Sequence, residues 1–319
     1  MSWIELSLDA TGEGVDWVYS LLAKTGFCPE IRIDRYSSTN LTNLSSPTHT
    51  WEFHICLYLA SDIQVYSQIQ VIENSFHSLQ RTGLVTQIRE KLVEQIPVTG
   101  NVWVNVQEIG EKFAIAKSHN PGLGDRMIIK TRPSLAFGSG FHPATILALQ
   151  LMERHIQEGM RGLDLGCGSG ILSVALAKLG TQVLAVDNDA IATQATREMV
   201  IDNNVETQVT VKQGSLGSGS DLGHWLGGDI HRGEDLTVIP ATANFDFIVA
   251  NILGRVHIQL ASEYQQALRP STTGGILITA GFNQDMESEV ESALSQNGLR
   301  LIDSIYLDEW VGFVHQCGF

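Results

Sequence analysis

The stretch Leu163-Asp164-Leu165-Gly166-Cys167-Gly168-Ser169-Gly170, followed by the apolar run from Ile171 to Leu179, decides the fold. A short buried strand over Gly162 to Leu165 enters a tight turn, and a helix starts at Ile171. The glycines let the backbone turn sharply and approach a ligand closely. The helix N-terminus presents free N–H groups that suit an anionic group. A dinucleotide fingerprint would space its glycines as G-x-G-x-x-G. Here they stand at 166, 168 and 170 behind Asp164, a D-x-G-x-G-x-G pattern. That pattern suits a nucleoside with an amino-acid tail rather than a diphosphate.

Downstream, the strand Val183-Leu184-Ala185-Val186 ends in Asp187, 21 residues after Gly166. A carboxylate placed there can accept two hydrogen bonds from a ribose diol. The two features together, in a β-α-β context, point to S-adenosyl-L-methionine as cofactor. Asp164, Gly166, Gly168 and Asp187 are the candidate binding residues. The rivals are a nicotinamide-type Rossmann site and a plain packing turn with a surface aspartate.

Upstream, Phe137-Gly138-Ser139-Gly140-Phe141-His142-Pro143-Ala144-Thr145 reads as a second ligand loop leading into a helix. Phe137 and Gly138 join the candidate cofactor residues. Thr145 could donate to the methionyl carboxylate, or simply start the helix. His142 reads as a loop or capping residue rather than a catalytic one. In Phe245-Asp246-Phe247-Ile248-Val249-Ala250-Asn251-Ile252-Leu253 a strand ends in a polar side chain. That places Asn251 at the carboxyl edge beside Asp164 and Asp187. Asn251 is the candidate catalytic residue, orienting an amine, and also a candidate cofactor contact. Trp310 reads as a core tryptophan, with a lid over the site as the other option.

From Ala144 onward strands and helices alternate: helices over Thr145 to Ile156, Ile171 to Leu179, Ala190 to Asn203, Val256 to Leu268 and Met286 to Gln296. Strands fall at Gly162 to Leu165, Val183 to Val186, Val209 to Lys212, Phe245 to Ala250, Ile276 to Ala280 and Leu299 to Tyr306. Repeated β-α units imply an α/β, Rossmann-like domain with a mainly parallel sheet. Gly214 to Asp235 interrupts it, with seven glycines in 22 residues, and reads as a flexible loop. The first part of the chain has the order β-α-β-β-α-β, a small ferredoxin-like α+β domain. Its elements are Trp3 to Leu8, Val15 to Ala23, Ile31 to Tyr36, Trp51 to Leu59, Ile63 to Leu79 and Leu84 to Val93, the last a strand or a helix. Ser37 to Thr50 reads as a long loop. The expected division is a domain over 1–96, a linker over 97–118 and the α/β domain over 119–319. Phe113 to Lys117 and Met127 to Lys130 read as strands at that boundary.

Composition narrows the function. The chain has 319 residues, 43% of them hydrophobic and 17% charged, which excludes disorder over most of its length. Twenty Lys and Arg against 35 Asp and Glu give a net charge of -15, so direct nucleic-acid binding is not expected. A basic partner suits such a surface. The four cysteines, Cys28, Cys56, Cys167 and Cys317, form no C-x-x-C pair, so neither a zinc site nor a disulfide framework is expected. No metal is expected. No membrane-spanning run is visible, and Met1-Ser2-Trp3-Ile4-Glu5 does not read as a signal peptide. The expectation is a cytoplasmic monomer.

The chain resembles the PrmA family, bacterial methyltransferases of ribosomal protein L-eleven. The matching motifs are Leu135 to Thr145, Leu163 to Gly170, Val186-Asp187, Val249-Ala250-Asn251-Ile252-Leu253 and Glu309-Trp310-Val311. The resemblance implies a class I, seven-stranded methyltransferase domain behind a domain that recruits the substrate protein. It implies that Thr145, Gly166, Asp187 and Asn251 contact S-adenosyl-L-methionine. The implied acceptors are lysine or N-terminal amines of a basic protein of the large ribosomal subunit. Methylation of another protein or a small molecule, and cofactor binding without turnover, remain open beside it. The chain departs from the family pattern in several places: the Trp-rich linker before Gly124 is missing, the Gly214 to Asp235 loop is longer than usual, and the N-terminal 100 residues match only in general layout. Phe141 begins the stretch where the family reads T-H-P-T-T, and Gly254-Arg255 follows A-N-I-L where the family has a small residue and a proline.

Overall fold

The structure is a computed structural model and describes residues 2–25, 27, 29–36, 51–96, 106–116, 123–131, 140–217, 237–242, 244–270 and 274–318. The N-terminal unit contains β1 (Trp3–Ala10), α1 (Gly12–Thr25), β2 (Glu30–Arg35), β3 (Phe53–Ala60), α2 (Val65–Thr82) and β4 (Arg89–Val93). The strands pair antiparallel in the order β2-β3-β1-β4. In β1, Ile4, Leu6 and Leu8 alternate onto the face that packs with the helices. On α2, Val65, Ile69, Ile72, Phe76 and Leu79 recur three or four residues apart and are all buried, so one face closes the core. Each such side chain contributes roughly 1.5–3 kcal/mol. Of the segment Leu84 to Val93, Arg89–Val93 is a strand. It is an edge, and Arg89, Glu90 and Lys91 on it are exposed. The long loop at 37–50 lies outside the described residues.

Three short strands follow: β5 (Val106–Ile109), β6 (Phe113–Ala116) and β7 (Met127–Ile129). β5 pairs antiparallel with β6, and β6 pairs parallel with β7. Residues 97–118, read from the sequence as a linker, thus carry β5 and β6 in their described part. Ile109, Phe113, Ile115 and Ile129 enter the core of the large α/β unit. β6 and β7 fall where the sequence predicts strands, at 113–117 and 127–130, whereas β5 is not predicted.

The large unit begins with α3 (Pro143–His155), β8 (Arg161–Leu165), α4 (Ile171–Lys178), β9 (Gln182–Asp187) and α5 (Ala190–Asp202). It continues with β10 (Val209–Leu216), β11 (Thr237–Ile239), β12 (Phe247–Asn251), α6 (Gly254–Gln259), α7 (Ala261–Ala267), β13 (Ile276–Asn283), α8 (Glu287–Gln296), β14 (Leu299–Leu307) and β15 (Trp310–Cys317). The sheet order is β11-β10-β9-β8-β12-β13-β15-β14. β15 runs antiparallel to both its neighbours, and the remaining pairs are parallel. One core joins α3, α4 and α5 to one face, and a second joins α6, α7 and α8 to the other. After β8 the chain winds outward through β9 to β11, then returns to place β12 on the other side of β8. In open α/β sheets such a reversal is where ligands bind, here at the carboxyl ends of β8 and β12.

Three local features differ from the sequence reading. The expected helix Val256 to Leu268 breaks at Leu260, whose ψ of 5° leaves helical geometry. Both halves are fastened at the break, because buried His257 hydrogen-bonds the Ala280 carbonyl at 2.9 Å and the Tyr264 hydroxyl at 3.1 Å. The expected loop from Gly214 begins late, since β10 extends through Leu216 to pair with β11. Residues 218–235 lie outside the described residues. β15 was not expected as a strand. It is the return arm of a hairpin whose turn holds Asp308 at φ 52°.

Candidate active site

Strand register assembles the site. Leu165 is level with Val186 on β9 and with Ala250 on β12. The next residue along each strand is Asp187 on β9, Gly166 after β8 and Asn251 on β12. These three therefore stand on one level at the carboxyl edge. The amides of Gly166 and Cys167 both donate to the Val186 carbonyl, at 2.8 and 3.1 Å, which turns the chain sharply off β8. Gly166 has φ 75°, and a Cβ there would run into the Ile252 side chain. Gly170 has φ 89°, and a Cβ there would sit 2.9 Å from the Thr196 Cα. The third glycine therefore lets α4 and α5 pack closely. The Thr196 hydroxyl donates to the Gly168 carbonyl at 2.9 Å and ties α5 to the turn.

The two carboxylates have different surroundings. Asp187 Oδ2 accepts from the Gly168 amide and Oδ1 from the Asp189 amide, both at 3.0 Å. A carboxylate carries roughly four lone-pair sites, so such a group can hold a turn and also receive a diol. Asp164 is fully buried, and its Oδ2 accepts from the Ser173 hydroxyl of α4. Its Oδ1 has no hydrogen-bond partner among the described residues. Burial pushes its carboxyl up to about 7, and the charge of Asp187 adds to that.

On the other side, His142 caps α3: its Nδ1 accepts from the Ala144 amide at 3.1 Å. Its ring lies 4.4 Å from the Trp310 ring at 74°, and burial holds its imidazole down at about 4. It is therefore neutral near pH 7, with the proton on Nε2. Three residues on, fully buried Thr145 accepts from Asn251, Nδ2 to Oγ1 3.2 Å. Asn251 Oδ1 is buried without a hydrogen-bond partner among the described residues. Of the residues singled out in the sequence, Asp164, Gly166, Gly168, Asp187, Asn251 and Thr145 thus gather at the carboxyl edge of β8, β9 and β12. Phe137 and Gly138 lie outside the described residues.

Sequence reasoning missed Ser173 and Thr196. Ser173 did carry a signal, a hydroxyl inside the otherwise apolar run Ile171-Leu172-Ser173-Val174, where a buried polar group needs a partner. Thr196 carried none, since its link to Gly168 spans 28 residues. Among the described residues no group of three His, Cys, Asp or Glu could hold a metal ion. No helix among them is long and apolar enough to cross a membrane.

The strand order, the switch point, Asp164 on β8 and Asp187 at the end of β9 are those of the Rossmann-like, class I methyltransferase architecture. A family model described as ribosomal protein L11 methyltransferase (PrmA) matches residues 2–317. A protein of Chloroflexus aurantiacus named ribosomal protein L11 methyltransferase is 36% identical, over 99% of this chain and 98% of its own. One of Herpetosiphon aurantiacus with the same name is 35% identical, over 99% of each chain. The solved structure of a ribosomal protein L11 methylase from Lactobacillus delbrueckii subsp. bulgaricus superposes with a TM-score of 0.55 at 26% identity, over 67% of this chain and 99% of that one. The chain belongs to the ribosomal protein L11 methyltransferase (PrmA) family.

Proposed function

We propose that this methyltransferase uses S-adenosyl-L-methionine to methylate lysine or N-terminal amines of ribosomal protein L11 or a basic protein like it. The observation that carries the reading is the level set of Asp187, Gly166 and Asn251, with the Asn251 Oδ1 buried and without a hydrogen-bond partner among the described residues. The residues fit the cofactor. Asp187 would receive the ribose diol. The Gly166 to Gly170 turn would admit the nucleoside, and Thr145 would donate to the methionyl carboxylate. Asp164 would act from behind, holding the turn through Ser173.

When bound, the cofactor supplies a sulfonium methyl group that is already strongly electrophilic. The protein's own task is then orientation and the exclusion of charge from the acceptor. An amine must be neutral to accept a methyl group, and for lysine at pH 7 that costs roughly 4.6 kcal/mol. Asn251 Oδ1 would take a hydrogen bond from the acceptor nitrogen. A neutral amide directs the lone pair without favouring the ammonium form, as a carboxylate would. His142, neutral and capping α3, adds no positive charge beside the amine.

The net charge of -15 suits recruitment of a basic protein, with the N-terminal unit as its recognition domain. Incubation with methyl-labelled S-adenosyl-L-methionine and unmethylated L11, followed by mass spectrometry, tests the reading. Label on lysine or the N-terminal amine supports it. No label from a protein that binds S-adenosylhomocysteine would discard the substrate and leave the cofactor site intact.

A further inference from the structure

Phe141 belongs to the large unit by sequence but to the N-terminal unit by packing. It is 8% exposed and sits in the same cluster as Ile4, Leu6, Leu8, Phe53 and Ile55. Among the described residues it is the only member of that cluster beyond residue 88. Its ring meets Phe53 edge-on, at 5.4 Å and 77°. A Cβ on Gly12, the first residue of α1, would lie 3.0 Å from the Phe141 carbonyl and 3.4 Å from Pro143 Cδ. The Gly12 amide is itself held by Glu52 Oε1 at 3.0 Å.

The residues that follow lead straight into the site. His142 caps α3 against Trp310, and Thr145 bonds Asn251. Thus only three residues separate Phe141 in the core of the N-terminal unit from the Thr145–Asn251 pair. On α1, burial raises the Glu13 carboxyl, the Trp17 hydrogen bond opposes this, and the charge of Glu309 raises it further.

We propose that Phe141 is a positioning residue: by docking in the N-terminal core it sets the pose of that unit over the transfer site, and so selects which amine of the protein substrate is presented. This rests on the methyl-transfer reading above. An apolar ring joins a preformed apolar core without leaving a polar group unpaired.

The test compares the wild type with Phe141→Ala, Phe141→Leu and Gly12→Val. Gly12→Val wedges the same contact apart from the other side without emptying a core. Three readouts are taken: S-adenosylhomocysteine affinity, small-angle X-ray scattering, and the distribution of methyl label over substrate amines. Phe141→Ala and Gly12→Val are expected to bind S-adenosylhomocysteine as the wild type does. Both should show a larger maximum dimension and lose about tenfold or more in kcat/KM on the protein substrate, the size of a small misplacement. They should also spread the label over more amines, and Phe141→Leu should restore the wild-type distribution. An unchanged scattering curve with an unchanged ratio of labelled sites would overturn the proposal. So would a leucine variant as impaired as the alanine one. If the wild type labels no amine at all, the substrate reading falls, and the scattering of the variants still decides whether Phe141 holds the two units together.

Discussion

Asn251 donates through Nδ2 to Thr145 Oγ1 at 3.2 Å, across 106 residues of chain, and its Oδ1 is left buried without a partner among the described residues. The bond orients the amide. One end is used inside the protein, and the other stays available at the level of Gly166 and Asp187. Asn251→Ala is expected to lower kcat about a hundredfold at saturating cofactor, the cost of losing alignment at a reacting atom. Full turnover in that variant would remove the role at nitrogen. Asn251→Asp should be impaired as well, with activity recovering as the pH is raised, because a carboxylate holds the acceptor as its ammonium form.

Asp187 serves the turn and the ligand together, accepting from the Gly168 and Asp189 amides. Asp187→Ala should weaken S-adenosylhomocysteine binding about ten- to a hundredfold, the range for one or two hydrogen bonds to a charged group. Isothermal titration calorimetry reads it directly. An unchanged affinity would mean that the diol is held elsewhere.

Gly170 combines a φ of 89° with a close approach to the backbone of Thr196. Gly170→Ala should destabilise the fold by about 1–2 kcal/mol from the backbone conformation, with more from the displaced helix. Urea denaturation measures it. A loss below about half a kcal/mol would show that α4 and α5 can part freely.

The Asp164 carboxyl is raised to about 7 by burial first and the charge of Asp187 second. The folded state therefore holds a proton that the unfolded state has released between about pH 4 and 7. Stability contributed by this group is full below the unfolded pKa and is lost as pH rises through 7. His142, His257 and His315, each held down at about 4 by burial, act in the opposite direction as pH falls. Only the difference between wild type and Asp164→Asn isolates the carboxyl. Urea midpoints should favour the variant more at pH 8 than at pH 5. A constant difference across that range would place the Asp164 pKa outside the window.

The net charge of -15 predicts that KM for a basic protein substrate rises with salt, while S-adenosylhomocysteine affinity barely moves. Steady-state kinetics between low and high ionic strength separate the two. A KM indifferent to salt would exclude recruitment by charge.

Much of this was legible in the chain because it depends on neighbours in sequence. The three glycines could be read at 166, 168 and 170, since a tight strand-to-helix turn needs them locally. The alternation of apolar strands and helices after Ala144 announced a parallel sheet, since burial on both faces leaves strands with no polar rhythm. Asp187 and Asn251 were found as polar ends of apolar strands. β15 was not found, because its residues resembled a terminal motif more than a strand. The break at Leu260 also escaped, because apolar spacing continues across it.

The class of fold, the glycine turn and the carboxylate and amide that end β9 and β12 were all readable along the chain. Each follows from local backbone freedom or periodic burial. The tertiary structure alone brings Asn251 to Thr145, turns Asp164 onto Ser173, and packs Phe141 into the core of the N-terminal unit. Those outcomes depend on strand register and on what packs around a side chain, and both are set by residues far away along the chain.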